Sequence, residues 1–243
     1  MRLPRKPLRL LSGLPLIVRV WQRISQMNIA DAVVVATDDE SVASVVRQAG
    51  AECVMTSDKH TSGTERVAEV AAMPRFQGYT TIVNVQGDEP FIGPGAVRGA
   101  AELVSSGTFP LGTAASLASR EILDTPSLVK VVVADDGRAM YFSRAPIAWW
   151  RDGFAQGITQ LPSHPAPLRH VGLYAYRAGF LRRFPTLAVA PLELQESLEQ
   201  LRVLWHGERI AVHVSAERPG PGVDTPEDLA RVRALFQAMP PGN

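Results

Sequence analysis

The chain has 243 residues, of which 46% are hydrophobic and 20% are charged. This is enough apolar material for one large domain, and the composition is not that of a disordered tail. Lysine and arginine number 25 against 24 aspartate and glutamate, which argues against a protein that coats nucleic acid. The single cysteine, Cys53, favours a reducing compartment and hence the cytoplasm. No apolar stretch approaches the ~20 residues of a membrane span, so we expect no membrane insertion.

The first part of the chain alternates strand and helix patterns. We predict helices at residues 16–24, 40–49 and from 64, and strands at 32–36, 53–56 and 81–85. The strand at 32–36 is a continuous apolar run, as expected in a parallel sheet that is covered on both faces. The alternation predicts an α/β fold with a mainly parallel central sheet flanked by helices.

The middle of the chain changes character. Residues 129–134, 140–144 and 171–176 are predicted strands without long helices between them, which suggests hairpins or a mixed sheet. We therefore predict a smaller lobe at 120–190 inside a single domain spanning 1–243. A helix at 191–204, a strand at 210–215 and a closing helix at 225–237 follow. Thr225 is a suitable N-cap for the closing helix.

Three polar loops follow predicted strands or precede helices, where ligands bind in open parallel sheets. In the first, residues 86–90, Gly87 and Asp88 would bring a carboxylate to a ligand such as Mg²⁺, although Asp and Gly are also common in solvated turns. In the second, Asp224 could supply a second carboxylate to the same metal; plain helix capping is the alternative, and it explains Thr225, Pro226 and Glu227 completely but Asp224 less well. In the third, residues 60–66, Arg66 can bind a carboxylate or phosphate, or can be a surface residue of a capped helix. His170 alone is more typical of a core or interface residue.

Six short motifs occur in an order and spacing that resemble the 3-deoxy-manno-octulosonate (Kdo) cytidylyltransferase family, also called CMP-Kdo synthetases. They are TSGTER at 61–66, VNVQGDEP at 83–90, YFSRAPI at 141–147, RHVGLYAYR at 169–177, LEQLR at 198–202 and GVDTPED at 222–228. The resemblance extends from about residue 2 to residue 235. It implies a Rossmann-like nucleotidyltransferase fold with a mixed-sheet dimerisation lobe.

The resemblance also implies a reaction, in which the anomeric hydroxyl of Kdo attacks the α-phosphate of CTP. By analogy Asp88 and Asp224 would hold Mg²⁺, and Lys6 would act with them in catalysis. The implied nucleotide-binding residues are Arg2, Lys6, Asp38, Ser62, Gly63 and Thr64. The implied sugar-binding residues are Arg66, Gln86, His170, Tyr174, Glu199 and Gln200. The region 141–182 resembles the family's homodimer lobe, and the product would serve lipopolysaccharide synthesis in the cytoplasm.

The chain departs from the family at its start. Family members open with a buried strand and a loop of the type Ile-Pro-Ala-Arg-x-x-Ser-x-Arg-Leu-Pro-Gly-Lys-Pro-Leu. This chain keeps Arg2 and Lys6 but carries Arg5 in place of the glycine, and the first central strand is missing. A start codon placed too late is the favoured explanation, and a decayed or regulatory relative is the other. Two alternative functions stay open: a cytidylyltransferase for sialic acid or 8-amino-Kdo, and a non-catalytic protein that only binds ligand.

Overall fold

The computed structural model describes residues 3–217 and 219–238, and helices and strands alternate through most of this range. The helices are α1 (Leu16–Gln26), α2 (Glu40–Gln48), α3 (Gly63–Ala72), α4 (Pro94–Ser105), α5 (Arg120–Leu123), α6 (Ala178–Arg183), α7 (Pro191–Glu196), α8 (Gln200–Trp205) and α9 (Pro226–Ala238). The strands are β1 (Leu10–Leu11), β2 (Leu14–Pro15), β3 (Val34–Thr37), β4 (Glu52–Met55), β5 (Thr81–Val85), β6 (Leu111–Leu117), β7 (Lys130–Val133), β8 (Ala139–Ser143), β9 (Leu168–Arg177) and β10 (Ile210–Val214). The predicted α/β fold class is confirmed.

The chain divides into two compact units. The first comprises Met1–Val70, Val85–Pro94 and Pro219–Asn243, and the second comprises Ala71–Asn84 and Gly95–Arg218. The predicted smaller lobe at 120–190 lies inside the second unit, and its role in dimerisation stays a prediction. Among the described residues, no helix has the length and apolar character needed to cross a membrane.

In the first unit, helix α1 contributes side chains to two apolar clusters. One cluster consists of Leu11, Leu16, Val20, Val223, Leu229 and Val232. Ile17 and Trp21 of the same helix pack instead against a second cluster, formed by Val35, Val42, Val46 and Ala51. Residues four positions apart lie on the same side of a helix, so Leu16 and Val20 face one cluster and Ile17 and Trp21 face the other.

Strands β3 and β4 form a parallel two-stranded sheet in this unit, with Val34 opposite Glu52 and Thr37 opposite Met55. Each strand lies within two residues of its predicted position. In the part of the chain that the structure describes, β3 pairs with no strand other than β4. The predicted absence of a neighbouring central strand stays a prediction.

The second unit contains a six-stranded mixed sheet with the order β10–β6–β9–β7–β8, and β5 also pairs with β9. Strand β10 runs parallel to β6, whereas the pairs β6–β9, β9–β7 and β7–β8 are antiparallel. Strands β7, β8 and β9 are those predicted without long intervening helices. The mixed sheet predicted for this region is therefore confirmed.

Strand β6 and helix α4 are absent from the predicted elements. Residues 111–117 contain mainly small side chains and few of the β-branched or aromatic residues that favour strands. The small residues have a packing reason: a Cβ atom on Gly112 would lie 2.6 Å from the carbonyl oxygen of Ala100 in α4. Helix α4 packs directly on the backbone of β6. Residues 111–117 therefore form a strand because they are buried in this packing, and not because of their intrinsic strand propensity.

The prediction of one helix over residues 191–204 is wrong, because α7 ends at Glu196 and α8 begins at Gln200. Ser197 has φ 51° and ψ 50°, the left-handed conformation that ends a helix. Across the break, Arg202 donates two hydrogen bonds to Glu193 from one edge of its guanidinium, from Nε to Oε2 at 2.8 Å and from Nη2 to Oε1 at 2.6 Å. Both side chains are buried, and the pair holds α8 against α7.

A buried polar pair joins β6 to β9. The hydroxyl of Thr113 donates to the carbonyl of Leu173 at 2.7 Å and lies 2.8 Å from Nε2 of His170. Since the hydroxyl has one proton, we assign Nε2 of His170 as the donor to Thr113. Burial lowers the pKa of His170 from its ordinary value of 6.5 to about 3, and Arg169 adds to the effect. His170 is therefore neutral at physiological pH.

The buried pair between Glu193 and Arg202 yields a stability prediction. Glu193→Ala leaves a buried guanidinium without its carboxylate, which should lower the free energy of unfolding by about 3–5 kcal/mol. The matched control is Glu208→Ala, which removes the carboxylate from a partly exposed pair with Arg183 and should cost less than about 1 kcal/mol. Urea unfolding of the three proteins measures both values. Equal losses in the two variants would contradict the prediction.

The pKa of His170 predicts a pH-dependent part of the stability. The unfolded imidazole binds a proton near pH 6.5, whereas the folded one does so near 3. Between these values the unfolded state holds more protons, so stability is present above pH 6.5 and is lost as the pH falls toward 3. Urea unfolding at pH 7 and pH 5 should show a larger loss for the parent than for His170→Gln. An NMR titration midpoint near 6.5 for this ring would contradict the assignment.

Candidate active site

Three charged residues from distant parts of the chain meet in the first unit. The ammonium of Lys6 lies 2.5 Å from Oδ2 of Asp88 and 2.9 Å from Oδ1 of Asp224. The side chains of Lys6 and Asp88 are 27% and 24% exposed, whereas that of Asp224 is 78% exposed. Both carboxylates therefore reach the same cation, as the prediction of a shared metal site requires.

Backbone contacts position the two carboxylates. Asp88 lies in the turn after β5, and its carbonyl accepts from the N–H of Val223 at 3.0 Å. This contact joins the turn to the segment before α9. A Cβ atom on Gly222 would lie 3.0 Å from Oε1 of Glu89 and 3.6 Å from the Asp88 carbonyl oxygen, so a larger residue here would require the Glu89 side chain to shift.

The start of α9 leaves Asp224 available for other contacts. Asp228 accepts at Oδ2 from the backbone N–H groups of Asp224 and Thr225 at 3.2 and 3.0 Å. Its own N–H donates to the Thr225 hydroxyl at 3.1 Å, so Thr225 is the predicted N-cap. Because Asp228 and Thr225 satisfy these groups, the carboxylate of Asp224 is not needed for capping.

Lys6 begins the 3-10 helix Lys6–Leu8, directly after Arg5. Arg5 has φ 49°, in the left-handed region that favours glycine, and glycine is the residue expected here from the family pattern. Burial on its own would lower the pKa of Lys6, but Asp88 and Asp224 outweigh it and raise the pKa above its ordinary value. Lys6 is thus a cation at neutral pH. The predicted nucleotide contact Arg2 lies outside the described residues.

The donor set fits Mg²⁺ bound jointly by protein and substrate. Asp88 and Asp224 offer two hard carboxylate oxygens to one position, and Mg²⁺ is usually held by one or two carboxylates together with phosphates and water. Within residues 3–217 and 219–238, no group of three or more His, Cys, Asp or Glu side chains could hold a metal ion. The arrangement therefore suits a shared site and not a closed cage of protein ligands.

Arg66 and Asp38, predicted to contact different substrates, are paired with each other. Nη2 of Arg66 lies 2.9 Å from Oδ2 of Asp38, and Nη1 donates to the Thr56 hydroxyl at 2.5 Å. The hydrogen bond from Arg66 lowers the pKa of Asp38, so this carboxylate is ionised at neutral pH. The pair joins the ends of β3 and β4 to α3.

The predicted residues Ser62, Gly63 and Thr64 form the start of α3. The Ser62 hydroxyl accepts from the N–H of Glu65 at 3.2 Å, which is an N-cap contact. Thr64 is 1% exposed, so its side chain is packed inside. Glu65 also accepts from the N–H and the hydroxyl of Thr61, each at 3.0 Å.

The loop before α3 is organised by residues that the predicted site omits. Glu69 accepts from the N–H of Ser57 at 3.0 Å and binds the His60 ring. The hydrogen bond with His60 lowers the pKa of Glu69. Glu65 and Glu69 are one helical turn apart, so both carboxylates lie on the same side of α3. This spacing is the sequence feature that could indicate that they bind the preceding loop. Gln86 lies at the other polar loop, where its carbonyl accepts from the N–H of Glu89 at 3.2 Å.

The remaining predicted sugar contacts lie in the second unit. His170 and Tyr174 are on β9 with ring centroids 5.4 Å apart. Burial raises the pKa of Tyr174 well above its ordinary value, which keeps the phenol neutral. Glu199 and Gln200 stand at the start of α8. Gln200 is 5% exposed, and its side-chain nitrogen has no hydrogen-bond partner among the described residues, which leaves a donor for a ligand.

Comparison with known proteins bears out the resemblance suggested by the six motifs. The family model described as cytidylyltransferase matches residues 1–210. A 3-deoxy-manno-octulosonate cytidylyltransferase of Leptothrix cholodnii is 55% identical over 237 residues, covering 97% of this chain and 87% of that protein. The protein of the same name from Neisseria meningitidis serogroup A is 48% identical over 239 residues, covering 98% of this chain and 94% of that protein.

A solved structure agrees with the sequence relatives. The structure of CMP:2-keto-3-deoxy-manno-octonic acid synthetase complexed with CTP aligns with a TM-score of 0.87 and 38% identity. The alignment covers 97% of this chain and 93% of that chain. By sequence and by fold, this chain belongs to the cytidylyltransferase family and, within it, to the 3-deoxy-manno-octulosonate cytidylyltransferases.

Proposed function

We propose that the chain transfers the CMP group of CTP to the anomeric hydroxyl of Kdo. The hydroxyl loses its proton and its oxygen forms a bond to the α-phosphorus. The bond from that phosphorus to the oxygen bridging to the β-phosphate breaks, giving CMP-Kdo and pyrophosphate. The relatives' names and the CTP-complexed structure support this choice of substrates.

The observation that carries the proposal is the convergence of Asp88 and Asp224 on Lys6. A nucleotidyl transfer needs the charge of the triphosphate to be neutralised more than it needs a covalent intermediate. Asp88 and Asp224 would hold Mg²⁺, which supplies this neutralisation and polarises the α-phosphate when bound. Lys6, which stays charged at neutral pH, would donate to phosphate oxygens.

The proposal assigns the remaining predicted residues by unit. In the first unit, Asp38 and the start of α3 would bind the nucleotide, and Arg66 and Gln86 would bind the sugar acid. In the second unit, His170, Tyr174, Glu199 and Gln200 would bind the sugar acid. The buried side-chain nitrogen of Gln200 supplies a directional donor suited to a sugar hydroxyl. The Nε2–H of the neutral His170 ring is given to Thr113, so Nδ1 of this ring would accept from a sugar hydroxyl.

We further propose a cytoplasmic homodimer that serves lipopolysaccharide synthesis and associates through residues 141–182. Exposed Trp149 in this segment and Met140 next to it, 60% and 63% accessible, support an interface on this part of the second unit. Sedimentation equilibrium should give the mass of a dimer. A monomer mass at micromolar concentration would contradict this part of the proposal.

Turnover with a panel of sugar acids tests the function. With CTP and Mg²⁺, pyrophosphate release should be fastest with Kdo and slower with 8-amino-Kdo and sialic acid, and EDTA should abolish it. Release with sialic acid but not Kdo would replace the proposed substrate. CTP binding by calorimetry without any release would favour a protein that only binds ligand.

The metal assignment predicts the effect of two substitutions. Asp88→Asn and Asp224→Asn should each lower kcat at least about 100-fold, because a neutral amide holds Mg²⁺ poorly. Circular dichroism and thermal unfolding should show that both variants stay folded. The matched control is Asp135→Asn, a substitution at an exposed position of the β7–β8 turn, which should leave kcat unchanged. Either site variant with kcat within about twofold of the parent would remove that residue from the metal site.

A further inference from the structure

The corner between α7 and α8 is tied to the end of β8. The side chain of Arg144, the residue after β8, donates from Nε to the Glu196 carbonyl at 2.7 Å and from Nη2 to the Ser197 carbonyl at 3.3 Å. The Glu196 carboxylate accepts in return from the Ser143 hydroxyl at 2.6 Å and from the Arg144 N–H at 3.0 Å. Charge-assisted and reciprocal contacts of this kind define a geometry more strictly than a single hydrogen bond.

The end of β8 is itself held in place. Lys130 on β7 is fully buried, and its ammonium donates to the carbonyls of Arg144, Leu128 and Thr125 at 2.5, 2.7 and 3.0 Å. The remaining guanidinium nitrogen of Arg144, Nη1, donates to the carbonyl of Pro126 at 3.3 Å. The guanidinium of Arg144 is thus engaged with protein carbonyls, which distinguishes it from an arginine held open for a ligand.

The contacts between Arg144 and Glu196 link the two elements of this unit that carry predicted sugar contacts, β9 and α8. Through strand pairing, Ser143 lies opposite Lys130, and Lys130 lies opposite Arg169, the neighbour of His170 on β9. On the other side, the left-handed turn at Ser197 leads directly to Glu199 and Gln200 at the start of α8. The position of α8 relative to β9 therefore depends on the contacts between Arg144 and Glu196.

We propose that Arg144 and Glu196 are positioning residues, which hold Glu199 and Gln200 at the correct distance from His170 and Tyr174 for the sugar acid. The inference rests on the proposed function. It differs from a general stabilising role, because the pair Glu193–Arg202 already holds α7 to α8.

Steady-state kinetics of Arg144→Ala and Glu196→Ala tests the inference. A small displacement of binding groups should raise the KM for Kdo about tenfold or more. The KM for CTP should stay within about twofold of the parent, since the predicted nucleotide contacts lie in the first unit. Arg144→Lys keeps the charge but not the forked geometry, so it should resemble the alanine variant.

The matched control is Arg138→Ala, an arginine in the same β7–β8 hairpin whose side chain pairs with exposed Asp136. It should leave both KM values unchanged. Hydrogen–deuterium exchange without substrate gives a readout that does not need turnover: the amides of Leu198 and Leu201 should exchange faster in Arg144→Ala than in the control. Ser143→Ala, which removes one contact, replaces Arg144→Ala if that variant does not fold.

The outcomes separate the two hypotheses. A KM for Kdo equal to that of the parent in both alanine variants, or equal increases in the KM for Kdo and for CTP, would overturn the positioning role and leave the proposed function intact. No turnover by the parent with any sugar acid would contradict the proposed function. Unchanged exchange at Leu198 and Leu201 would overturn the positioning role in either case.

Discussion

Two carboxylates brought into one small volume repel each other, and a folded chain that holds them together needs a compensating positive charge. Here the ammonium of Lys6 supplies it by contacting Asp88 and Asp224 together. The three residues belong to the start, the middle and the end of the chain, so the contact links the turn after β5 to the entry of α9. A divalent cation between the two carboxylates would neutralise them as the ammonium does. The proposed role of Asp88 and Asp224 in holding Mg²⁺ depends on this substitution.

The second unit satisfies its buried charges within the protein. Arg202 binds Glu193 at two points, and Lys130 is surrounded by three carbonyls. Against this background two buried side-chain nitrogens, those of Gln200 and Asn84, have no hydrogen-bond partner among the described residues, and a buried N–H without an acceptor is costly. Gln200 stands next to Glu199, another predicted sugar contact, so its open donor supports the proposal that this part of α8 binds a ligand and that the surrounding network keeps it in place.

The extent to which the sequence predicts this structure depends on whether a feature is local. Strand β5 is found at its predicted residues 81–85, since its β-branched residues Thr81, Ile82, Val83 and Val85 are a local signal. The break at Ser197 and strand β6 depend on packing partners elsewhere, a buried ion pair in one case and the close approach of α4 in the other. Asp88 and Asp224 meet at the ammonium of Lys6, and the Mg²⁺ predicted between them stays a prediction. The sequence does not predict the pairing of Arg66 with Asp38, because the partner of a long flexible side chain depends on which groups the fold brings near it.

The first unit is assembled from three separate stretches, of which the last begins at Pro219. One of its apolar clusters joins Leu11 and Leu16 to Leu229 and Val232. Ribosomes deliver a chain from its N-terminus, and domains generally fold as they emerge. All residues of the second unit are translated before those of α9, so the second unit can fold first. The core of the first unit stays incomplete until α9 has been translated. The charge cluster of Lys6, Asp88 and Asp224 is consequently completed only after Asp224 has been translated, later than every residue of the second unit.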